Sequence, residues 1–547
     1  MFPFILFPLF ALRALCQNIS ALQSDYQTPY TSAEPFAPYD PVRASVFRYR
    51  QQQSVNLGSW FVQEQWMVPS VFECAAEPKI AEIDIANGGC NPQAILEKHW
   101  DTFVTQQDFN YLASIGINTV RLPIGYWSLG PNFVQDTPFA NVSSVYENAW
   151  PHVVRAINMA ELSNIAVIVD LHGAPGSQNG QPHSGISDGK ANLCANSTYQ
   201  EKTLQVVQYL ATELCFVSNV AGVQILNEPE DCSELTDFYT LATNVVRSAC
   251  SLPDFPVYLH DAFDLDRFKD YVSAKVPDFS IQDHHSYYVY TPQDDAEPAE
   301  NHTTDVQTTV TTQLASANDT LPHNLIIGEW SCALTPDSLK NESDPQQARR
   351  DFCTAQYVAY TRDTPGNSFW SYKKEDCDPD WCFLNAVNNS LPSSFFSYGS
   401  GPITSEQYHM IQLLEPEIVA LTAGSLVSRR DNTISTSSEA SPSRYRHRSH
   451  AIAHRRQFSG QNISSSTSTL SPGMKDYQNG YQEGFITAQK FALYGGSRMG
   501  FLGQYLWTGI SGSGDSSWGP EGGSFRQGFV QGLRDAEEKI SGITGQL

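Results

Sequence analysis

The sequence predicts an α/β fold built as a closed (β/α)8 barrel, and two observations support this prediction. Eight short apolar runs typical of strands alternate along the chain with longer stretches, such as 149–164 and 198–215, that are long enough for helices crossing back over a parallel sheet. Each run is apolar where it begins and polar where it ends. The eight runs are 54–58, 118–125, 165–173, 220–229, 255–263, 279–288, 324–331 and 368–375.

The polar ends of these runs predict one functional surface. All strands of a parallel barrel end at the same face, and active sites lie at that face. One polar strand end can simply cap a strand or lie satisfied in the core, but eight together favour a catalytic face. The residues concerned are Asn56, Arg121, Asp170 with His172, Asn227 with Glu228, His260 with Asp261, His284 with His285, Glu329, and Trp370 with Lys373.

The composition favours a secreted protein that does not bind nucleic acid. The 547-residue chain has a formal net charge of −25, which disfavours nucleic acid and anionic membranes as partners. Residues 1–16 have the length and apolar character of a signal peptide. No later run reaches about 18 apolar residues, so no membrane span is predicted. We expect an extracellular monomer, either free or associated with the cell wall.

The cysteine and sequon patterns agree with secretion. Removing Cys16 with the signal peptide leaves ten cysteines, which suffice for five disulfides whose pairing the sequence leaves open. Asn-x-Ser/Thr sequons predict a glycoprotein. They begin at Asn18, Asn141, Asn196, Asn301, Asn318, Asn341, Asn388 and Asn462.

Composition also divides the chain into segments. The Ser-, Thr- and Arg-rich stretch predicts a disordered linker, and two amphipathic helices are predicted after it, at 480–496 and 524–542. Whether these helices pack on the barrel or form a separate module is left open. The predicted segments are the signal peptide 1–16, an N-terminal lead 17–45, the catalytic barrel 46–424, the linker 425–472 and the C-terminal helical segment 473–547.

Two glutamates at strand ends indicate hydrolysis of a glycosidic bond. Glu228 stands in the polar end of the fourth run and Glu329 in that of the seventh, and a barrel brings these ends together across its mouth. Such hydrolysis needs two carboxyl groups beside the anomeric carbon, one protonated and one ionised. Asn227 is suited to hydrogen-bond a sugar 2-hydroxyl, and Arg121 and Tyr287 are suited to hold Glu329 ionised.

Two competing motifs are weaker. Residues 185–189 match the Gly-x-Ser-x-Gly motif of serine hydrolases, but that motif needs a strand directly before it. Asp283, His284 and His285 suggest a metal site, although neighbouring residues of one strand point to opposite sides. No other metal-ligand spacing and no nucleotide motif is present, so we expect no metal and no cofactor.

The glutamate motifs carry a family resemblance. VQILNEP (223–229) and IIGEWS (326–331) resemble the acid/base and nucleophile motifs of glycoside hydrolase family 5, and over about 47–385 the chain resembles the fungal exo-β-1,3-glucanases of that family. Further motifs stand in the expected order. They are 47–72, 118–129, 169–180, 259–263, 283–290, 328–335 and 369–375.

The resemblance implies a retaining enzyme that cleaves β-1,3-glucan and releases glucose from non-reducing ends. It implies that Glu228 is the general acid/base and Glu329 the nucleophile. It further implies that Glu64 contacts the hydroxyls of the terminal glucose and that Trp370 lies beneath that sugar. The other residues implied to surround the sugar are Arg121, His172, Asn227, His285 and Tyr287.

Two departures from the family pattern leave the linkage open. Gln181 stands where the related glucanases usually carry an aromatic residue that clamps the leaving sugar, and Tyr290 is the remaining partner of that clamp. The last strand reads Trp-Ser-Tyr rather than Trp-Ser-Trp. A β-1,6-glucanase or a transglucosylase of the same family is therefore the alternative within enzymes. An inactive wall protein that binds β-glucan is the alternative from another class.

Overall fold

The computed structural model describes residues 34–318, 324–416, 471–508 and 523–545. The predicted signal peptide, nearly all of the predicted linker and the sequons at Asn18 and Asn462 lie outside the described residues. The chain divides into two compact units. The first contains Met1–Gln412, Lys490–Ser516 and Ile540–Leu547, and the second contains Leu413–Gln489 and Ser517–Lys539.

Eight parallel strands close into one barrel, which confirms the predicted fold class. Each strand pairs in parallel with the next, and β8 pairs with β1. The strands are β1 Gln52–Asn56, β2 Thr119–Gly125, β3 Ala166–Gly173, β4 Val220–Gln224, β5 Val257–His260, β6 Ser280–Ser286, β7 Leu325–Trp330 and β8 Gly366–Phe369.

Helices cover the outside of the barrel and continue into the C-terminal segment. Asp40, Asn196 and Asp344 cap the first turns of their helices with side-chain oxygens, as short polar residues at this position commonly do. Among the described residues, no helix is both long and apolar enough to cross a membrane. The helices are α1 Pro41–Tyr49, α2 Glu82–Ala86, α3 Pro92–Thr102, α4 Gln106–Ser114, α5 Ala149–Leu162, α6 Ser197–Leu214, α7 Leu235–Ala249, α8 Leu265–Ser273, α9 Pro292–Ala296, α10 Ala299–Asp305, α11 Thr311–Asn318, α12 Pro336–Leu339, α13 Pro345–Asp363, α14 Phe383–Ala386, α15 Ser405–Gln412, α16 Pro472–Leu493, α17 Leu502–Thr508 and α18 Ser524–Thr544.

The barrel interior changes from apolar to charged along the strands. Alternate residues of β3 point to opposite sides, and all of its residues are buried because helices cover the barrel. Ile168 packs in one apolar cluster with Phe491 and Phe501. Two positions further along the same side of β3, Asp170 contacts Arg121 at 3.0 Å. The charged groups therefore collect where the strands end.

Five disulfides use all ten of the remaining cysteines, as the even count predicts. Cys194–Cys232 joins the loop after β3 to the loop after β4. The pairs are Cys74–Cys90, Cys194–Cys232, Cys215–Cys250, Cys332–Cys353 and Cys377–Cys382.

The two predicted C-terminal helices are present as α16 and α18, and a short helix that the sequence did not predict, α17, lies between them. Four glycines let the backbones of α16 and α18 touch. A Cβ atom on any of them would stand 2.0 Å from a carbonyl oxygen of the other helix. The contacts are Gly480 with Phe525, Gly484 with Phe529, Gly528 with Tyr477 and Gly532 with Tyr481. The paired numbers rise together, so these two helices run parallel.

Gly484→Ala is expected to destabilise this helix pair, although alanine is the better helix former by about 1 kcal/mol. The new methyl group would collide with the Phe529 carbonyl and push the helices apart, which typically costs about 1–3 kcal/mol. Gly473→Ala in the same helix is the control, because its nearest neighbour is the Ser524 hydroxyl at 3.2 Å. Amide hydrogen exchange in α16 should accelerate only in Gly484→Ala; equal protection in both variants would contradict the packing described.

Candidate active site

The two predicted catalytic carboxyls meet at the mouth of the barrel. Glu329 lies in β7, and Glu228 lies four residues beyond the end of β4. The Glu228 backbone has a φ of +41°, a left-handed conformation that is costly for any residue other than glycine and concentrates at functional sites. His285 Nδ1 lies 2.7 Å from Glu228 Oε1 and 3.5 Å from Glu329 Oε2. These two oxygens are therefore at most about 6 Å apart, so the carboxyls can act on opposite faces of one carbon.

Glu329 is held by a donor at each oxygen. Arg121 Nη1 donates to Oε1 at 2.7 Å, and the Tyr287 hydroxyl donates to Oε2 at 2.8 Å. The same guanidinium donates to Asn227 Oδ1 at 2.7 Å and contacts Asp170 at 3.0 Å. This arrangement fixes the orientation of the Glu329 carboxyl group relative to the floor of the site.

Glu228 is surrounded by imidazoles instead. His285 Nδ1 contacts one oxygen, and His183 Nε2 lies 3.6 Å from the other. Asn179 Nδ2 donates to His183 Nε2 at 3.0 Å and to the Glu228 backbone carbonyl at 3.0 Å. Since Nε2 accepts the hydrogen bond from Asn179, this nitrogen carries no proton, and the His183 ring beside Glu228 is neutral. Sequence reasoning did not identify His183 or Asn179.

The charged groups of the site shift one another's pKa values. Burial lowers the pKa of His285, but the neighbouring carboxylates Glu329 and Asp283 outweigh it and raise that pKa to about 10. Burial also opposes ionisation of Glu228, yet the hydrogen bond and charge of His285 bring the pKa of Glu228 down overall. Burial raises the pKa of Glu329, which His285 and Arg121 offset only in part. Of this hydrogen-bonded pair, His285 therefore carries the proton and donates it to the Glu228 carboxylate.

A cavity of about 950 Å³ opens above these carboxyls. Nine of the ten predicted site residues line it, and the tenth, Arg121, lies buried beneath. Trp370 is 4% exposed, and its ring stacks on His172 with centroids 5.6 Å apart and an interplanar angle of 7°. The lining predicted residues are Glu64, His172, Asn227, Glu228, His285, Tyr287, Tyr290, Glu329 and Trp370.

Glu64 is positioned as a hydrogen-bonding group rather than as a fixed charge. Trp66 Nε1 donates to Glu64 Oε2 at 2.9 Å, and burial raises the pKa of Glu64 to about 8. The carboxyl is therefore protonated at neutral pH and can both donate and accept a hydrogen bond. Trp66 lines the same cavity, but the sequence did not predict it as a site residue although it stands two residues from Glu64 within the motif 47–72.

Aromatic rings stand at the rim of the cavity. Tyr290 is 71% exposed and Phe263 is 56% exposed, and both line the cavity together with Gln181. Phe263 has a φ of +63° and ends the fifth apolar run of the sequence. Its position at the end of that run was the sequence feature from which a role at the rim could have been predicted. The rim therefore carries an aromatic side chain besides Tyr290, although Gln181 itself is polar.

Two polar strand ends that the sequence assigned to the functional face lie elsewhere. Lys373 Nζ contacts Asp108 at 3.0 Å, because β8 already ends at Phe369 and the chain has turned away. The His284 ring contacts Asp261 at 2.7 Å, because it points to the side of β6 opposite to that of His285. The expectation that all strand ends line the site is wrong for these two and for Asp261, the buried partner of His284.

The structure does not support the Gly-x-Ser-x-Gly motif at 185–189 as a serine hydrolase site. Ser187 donates to Asp84 at 2.7 Å, and a short 3₁₀ turn rather than a strand precedes its loop. One ligand atom each of Glu228, His260 and His285 lies within 4.8 Å of the others, an arrangement that could hold a metal ion. His285 Nδ1 already contacts Glu228 Oε1 at 2.7 Å. The absence of a resident metal stays a prediction.

Comparisons with known proteins agree on one family. Residues 87–376 match the family described as Cellulase (glycosyl hydrolase family 5). Glucan 1,3-beta-glucosidase 3 of Schizosaccharomyces pombe is 32% identical over 363 residues, which cover 64% of this chain and 75% of that protein. Glucan 1,3-beta-glucosidase of Kluyveromyces lactis is 29% identical over 404 residues, with 64% and 91% covered.

Among solved structures, the chain is similar to rutinosidase from Aspergillus niger. The TM-score is 0.51 at 18% identity, and the match covers 64% of this chain and 98% of the rutinosidase chain. This likeness supports the barrel fold alone.

The buried acid next to the Glu64 segment predicts a pH dependence of stability. Glu82 accepts from the Gln63 amide at 2.8 Å and from the Tyr146 hydroxyl at 3.1 Å, and burial raises the pKa of Glu82 to about 8. Between its unfolded pKa near 4.5 and pH 8 the folded protein binds the extra proton, so this group removes stability as pH rises, by up to about 1.4 kcal/mol per pH unit.

Glu82→Gln should therefore lose less free energy of unfolding than the wild type between pH 5 and pH 8. Urea unfolding at several pH values measures this difference. Glu230→Gln, at an exposed carboxyl, is the control and should follow the wild-type profile. A Glu82→Gln profile parallel to that of the wild type would show that Glu82 titrates normally.

Proposed function

The chain belongs to glycosyl hydrolase family 5, and on that premise we propose that it is a secreted β-1,3-glucan hydrolase that releases glucose from non-reducing ends with retention of configuration. The observation that carries the mechanism is the placement of Glu228 and Glu329 around His285. Their nearest oxygens are at most about 6 Å apart, whereas inverting enzymes separate the carboxyls by roughly 6.5–9.5 Å to admit a water.

Glu329 is the proposed nucleophile and Glu228 the proposed acid/base. A Glu329 oxygen bonds to the anomeric carbon as the glycosidic C–O bond breaks, and the leaving oxygen keeps the electron pair and takes a proton from Glu228. A water then attacks the same carbon, gives its proton to Glu228 and displaces Glu329. The hydrogen bonds from Arg121 and Tyr287 support the nucleophile role, because both donors favour an ionised carboxylate.

Substrate binding prepares Glu228 to donate. A bound sugar excludes water from the cavity, and the lower dielectric favours neutral groups over the charged His285–Glu228 pair. The proton then moves along the 2.7 Å hydrogen bond from His285 Nδ1 to Glu228. His183, 3.6 Å from the other oxygen, supports this form of Glu228 because burial lowers the pKa of His183 to about 4, so that no cation on this side opposes protonation of the carboxyl.

The sugar next to Glu329 would lie on Trp370, whose apolar ring face suits the C–H bonds of a pyranose. Glu64 and Asn227 border the same part of the cavity and would bind its hydroxyls. Both yeast relatives are named glucan 1,3-beta-glucosidases, which supports a β-1,3 linkage and release of glucose. Gln181 is the observation that favours the second candidate, a β-1,6-glucanase or transglucosylase, because it weakens the expected clamp on the leaving sugar.

Secretion and the segment boundaries are part of the proposal. The apolar stretch 1–16 and the five disulfides support an oxidising, extracellular location. The barrel boundaries 46–424, the linker 425–472 and the helical segment 473–547 are proposed from composition. A monomer that acts on β-glucan and binds no nucleic acid fits the net charge of −25.

Replacing each carboxyl should separate the two roles. With an activated aryl β-glucoside, Glu329→Ala and Glu228→Ala should each lose at least roughly 10³-fold in hydrolysis or deglycosylation rate. Azide should rescue Glu329→Ala to the α-glucosyl azide, because azide then attacks directly. It should rescue Glu228→Ala to the β-glucosyl azide, because azide then attacks the glycosyl-enzyme.

Glu230→Ala is the matched control, since this exposed carboxyl lines the same cavity and should leave the rate near wild type. Interchanged azide products would reverse the two roles. Normal turnover of Glu329→Ala would reject the proposed nucleophile.

Digestion of laminarin tests the substrate and the mode of action. Glucose alone should appear from the first time point, and proton NMR should detect the β-anomer first. An early ladder of oligosaccharides would reject exo cleavage, and an initial α-anomer would reject retention. Faster attack on a β-1,6-glucan, or transfer products at low substrate, would favour the second candidate, and binding without any hydrolysis would favour the inactive wall protein.

A further inference from the structure

Three arginine side chains of the described residues rank among the largest that are fully buried, and one of them lacks an acidic partner. Arg48 contacts Asp254 at 3.1 Å, and Arg121 contacts both Asp170 and Glu329. The third, Arg50, is 1% exposed and forms no ion pair with any carboxylate of the described residues. Buried charges are normally paired, because an uncompensated ion costs several kcal/mol.

The Arg50 guanidinium is only partly satisfied by the protein. Its Nη2 donates to the backbone carbonyls of Asn118 and Asn164, and the group lies 4.7 Å from the centroid of the Phe47 ring. Its Nε is buried without a hydrogen-bond partner. Burial and the neighbouring Arg43 lower the pKa of Arg50 to about 9 although the Glu161 carboxylate, which is paired with Arg43, opposes this shift; the side chain remains cationic at neutral pH.

Arg50 borders a second cavity, of about 240 Å³, at the end of the barrel where the strands begin. Asn118 and Asn164, which also line it, lie just before β2 and β3. No aspartate or glutamate of the described residues lines this cavity, although the chain has 58 acidic residues against 33 basic ones. The space is therefore electropositive within an acidic protein.

Two nitrogen donors border the same point of this cavity. A Cβ atom on Gly495 would stand 2.4 Å from Asn164 Nδ2 and 3.9 Å from Arg50 Nη1. Neither nitrogen donates a hydrogen bond to the described part of the chain. Gly495 has a φ of +75°, and its missing side chain lets Asn164 Nδ2 lie close to its backbone at the wall of this cavity.

We propose that this cavity binds a small inorganic oxyanion of the phosphate or sulfate type as the counter-ion of Arg50. Because Nη2 is already occupied by two backbone carbonyls, the guanidinium offers the anion its Nη1 as a charge-assisted donor, and Asn164 Nδ2 adds a second donor. The cavity exceeds the volume of one such ion and leaves room for its remaining water. The site lies at the opposite end of the barrel from Glu228 and Glu329, so its binding stabilises the fold without entering the reaction.

Thermal unfolding of the full chain in phosphate tests this proposal. An anion that binds only the folded state raises the unfolding midpoint with the logarithm of its concentration above the dissociation constant. From 0 to 50 mM phosphate at pH 7, with sodium chloride at equal ionic strength as reference, we expect a rise of a few degrees. No rise beyond that in chloride would overturn the proposal.

Arg50→Met keeps the side-chain volume but removes the charge, and it should abolish the response to phosphate. Arg43→Met is the matched control, because Arg43 is a neighbouring cation that does not line the cavity and pairs with Glu161. This variant should keep the full response. An equal response in Arg50→Met and the wild type would show that phosphate acts elsewhere.

A second variant decides the matter if Arg50→Met does not fold. Asn164 has a φ of +57°, so glycine can replace it without backbone strain while removing Nδ2. Asn164→Gly should weaken phosphate binding severalfold in isothermal titration calorimetry, and its hydrolysis of laminarin should match the wild type. An unchanged dissociation constant in Asn164→Gly would overturn the proposed site.

Discussion

The Arg121 guanidinium is the interaction on which the rest of the site depends. One buried side chain on β2 reaches groups from four other parts of the barrel mouth, and each contact is a charge-assisted hydrogen bond or an ion pair. Without it, two buried carboxylates would lose their cation, at a cost of several kcal/mol. Its partners are Asn56 of β1 at 2.9 Å, Asp170 of β3 at 3.0 Å, Gln224 of β4 at 2.8 Å, Asn227 beyond β4 at 2.7 Å and Glu329 of β7 at 2.7 Å.

The two ends of the barrel differ in charge. The mouth holds more buried carboxyls than cations, and it therefore retains protons: burial raises the pKa of Asp170 to about 7 against the pull of Arg121. The opposite end holds Arg50, which forms no ion pair with a carboxylate of the described residues, beside a cavity that no described carboxylate lines. The apolar layer containing Ile168 and Phe501 separates these regions, so neither end neutralises the other. Acid chemistry at the mouth and the proposed anion site at the opposite end thus occupy one barrel without interfering.

The sequence predicted the architecture well because each strand leaves a strong local signal. Covered parallel strands are nearly continuous apolar runs, and β3 has all of its residues buried for this reason. The pair Glu228 and Glu329 could be identified because each directly follows or ends such a run. Site residues outside the apolar runs were harder to predict. His183 and Asn179 come from the irregular loop after β3, and no sequence periodicity determines the path of that loop.

Other features required the three-dimensional structure. An even number of cysteines does not fix their pairing, since ten cysteines allow many combinations. Side-chain direction also escaped prediction, because His284 and His285 are neighbours in sequence but lie on opposite sides of β6. The close packing of α16 on α18 needs four glycines in register, which only the paired helices reveal.

The Cys194–Cys232 bridge has a consequence for where the protein can work. It ties the loop that carries Asn179 and His183 to the turn that carries Glu228, four residues before Cys232. None of the eight strands contains either cysteine, so reduction would leave the barrel closed while freeing the two loops from each other. Asn179 and His183 would then be held beside Glu228 by noncovalent contacts alone, whereas His285 lies on β6, away from this bridge. An oxidising environment thus adds a covalent constraint to one side of the proposed acid/base.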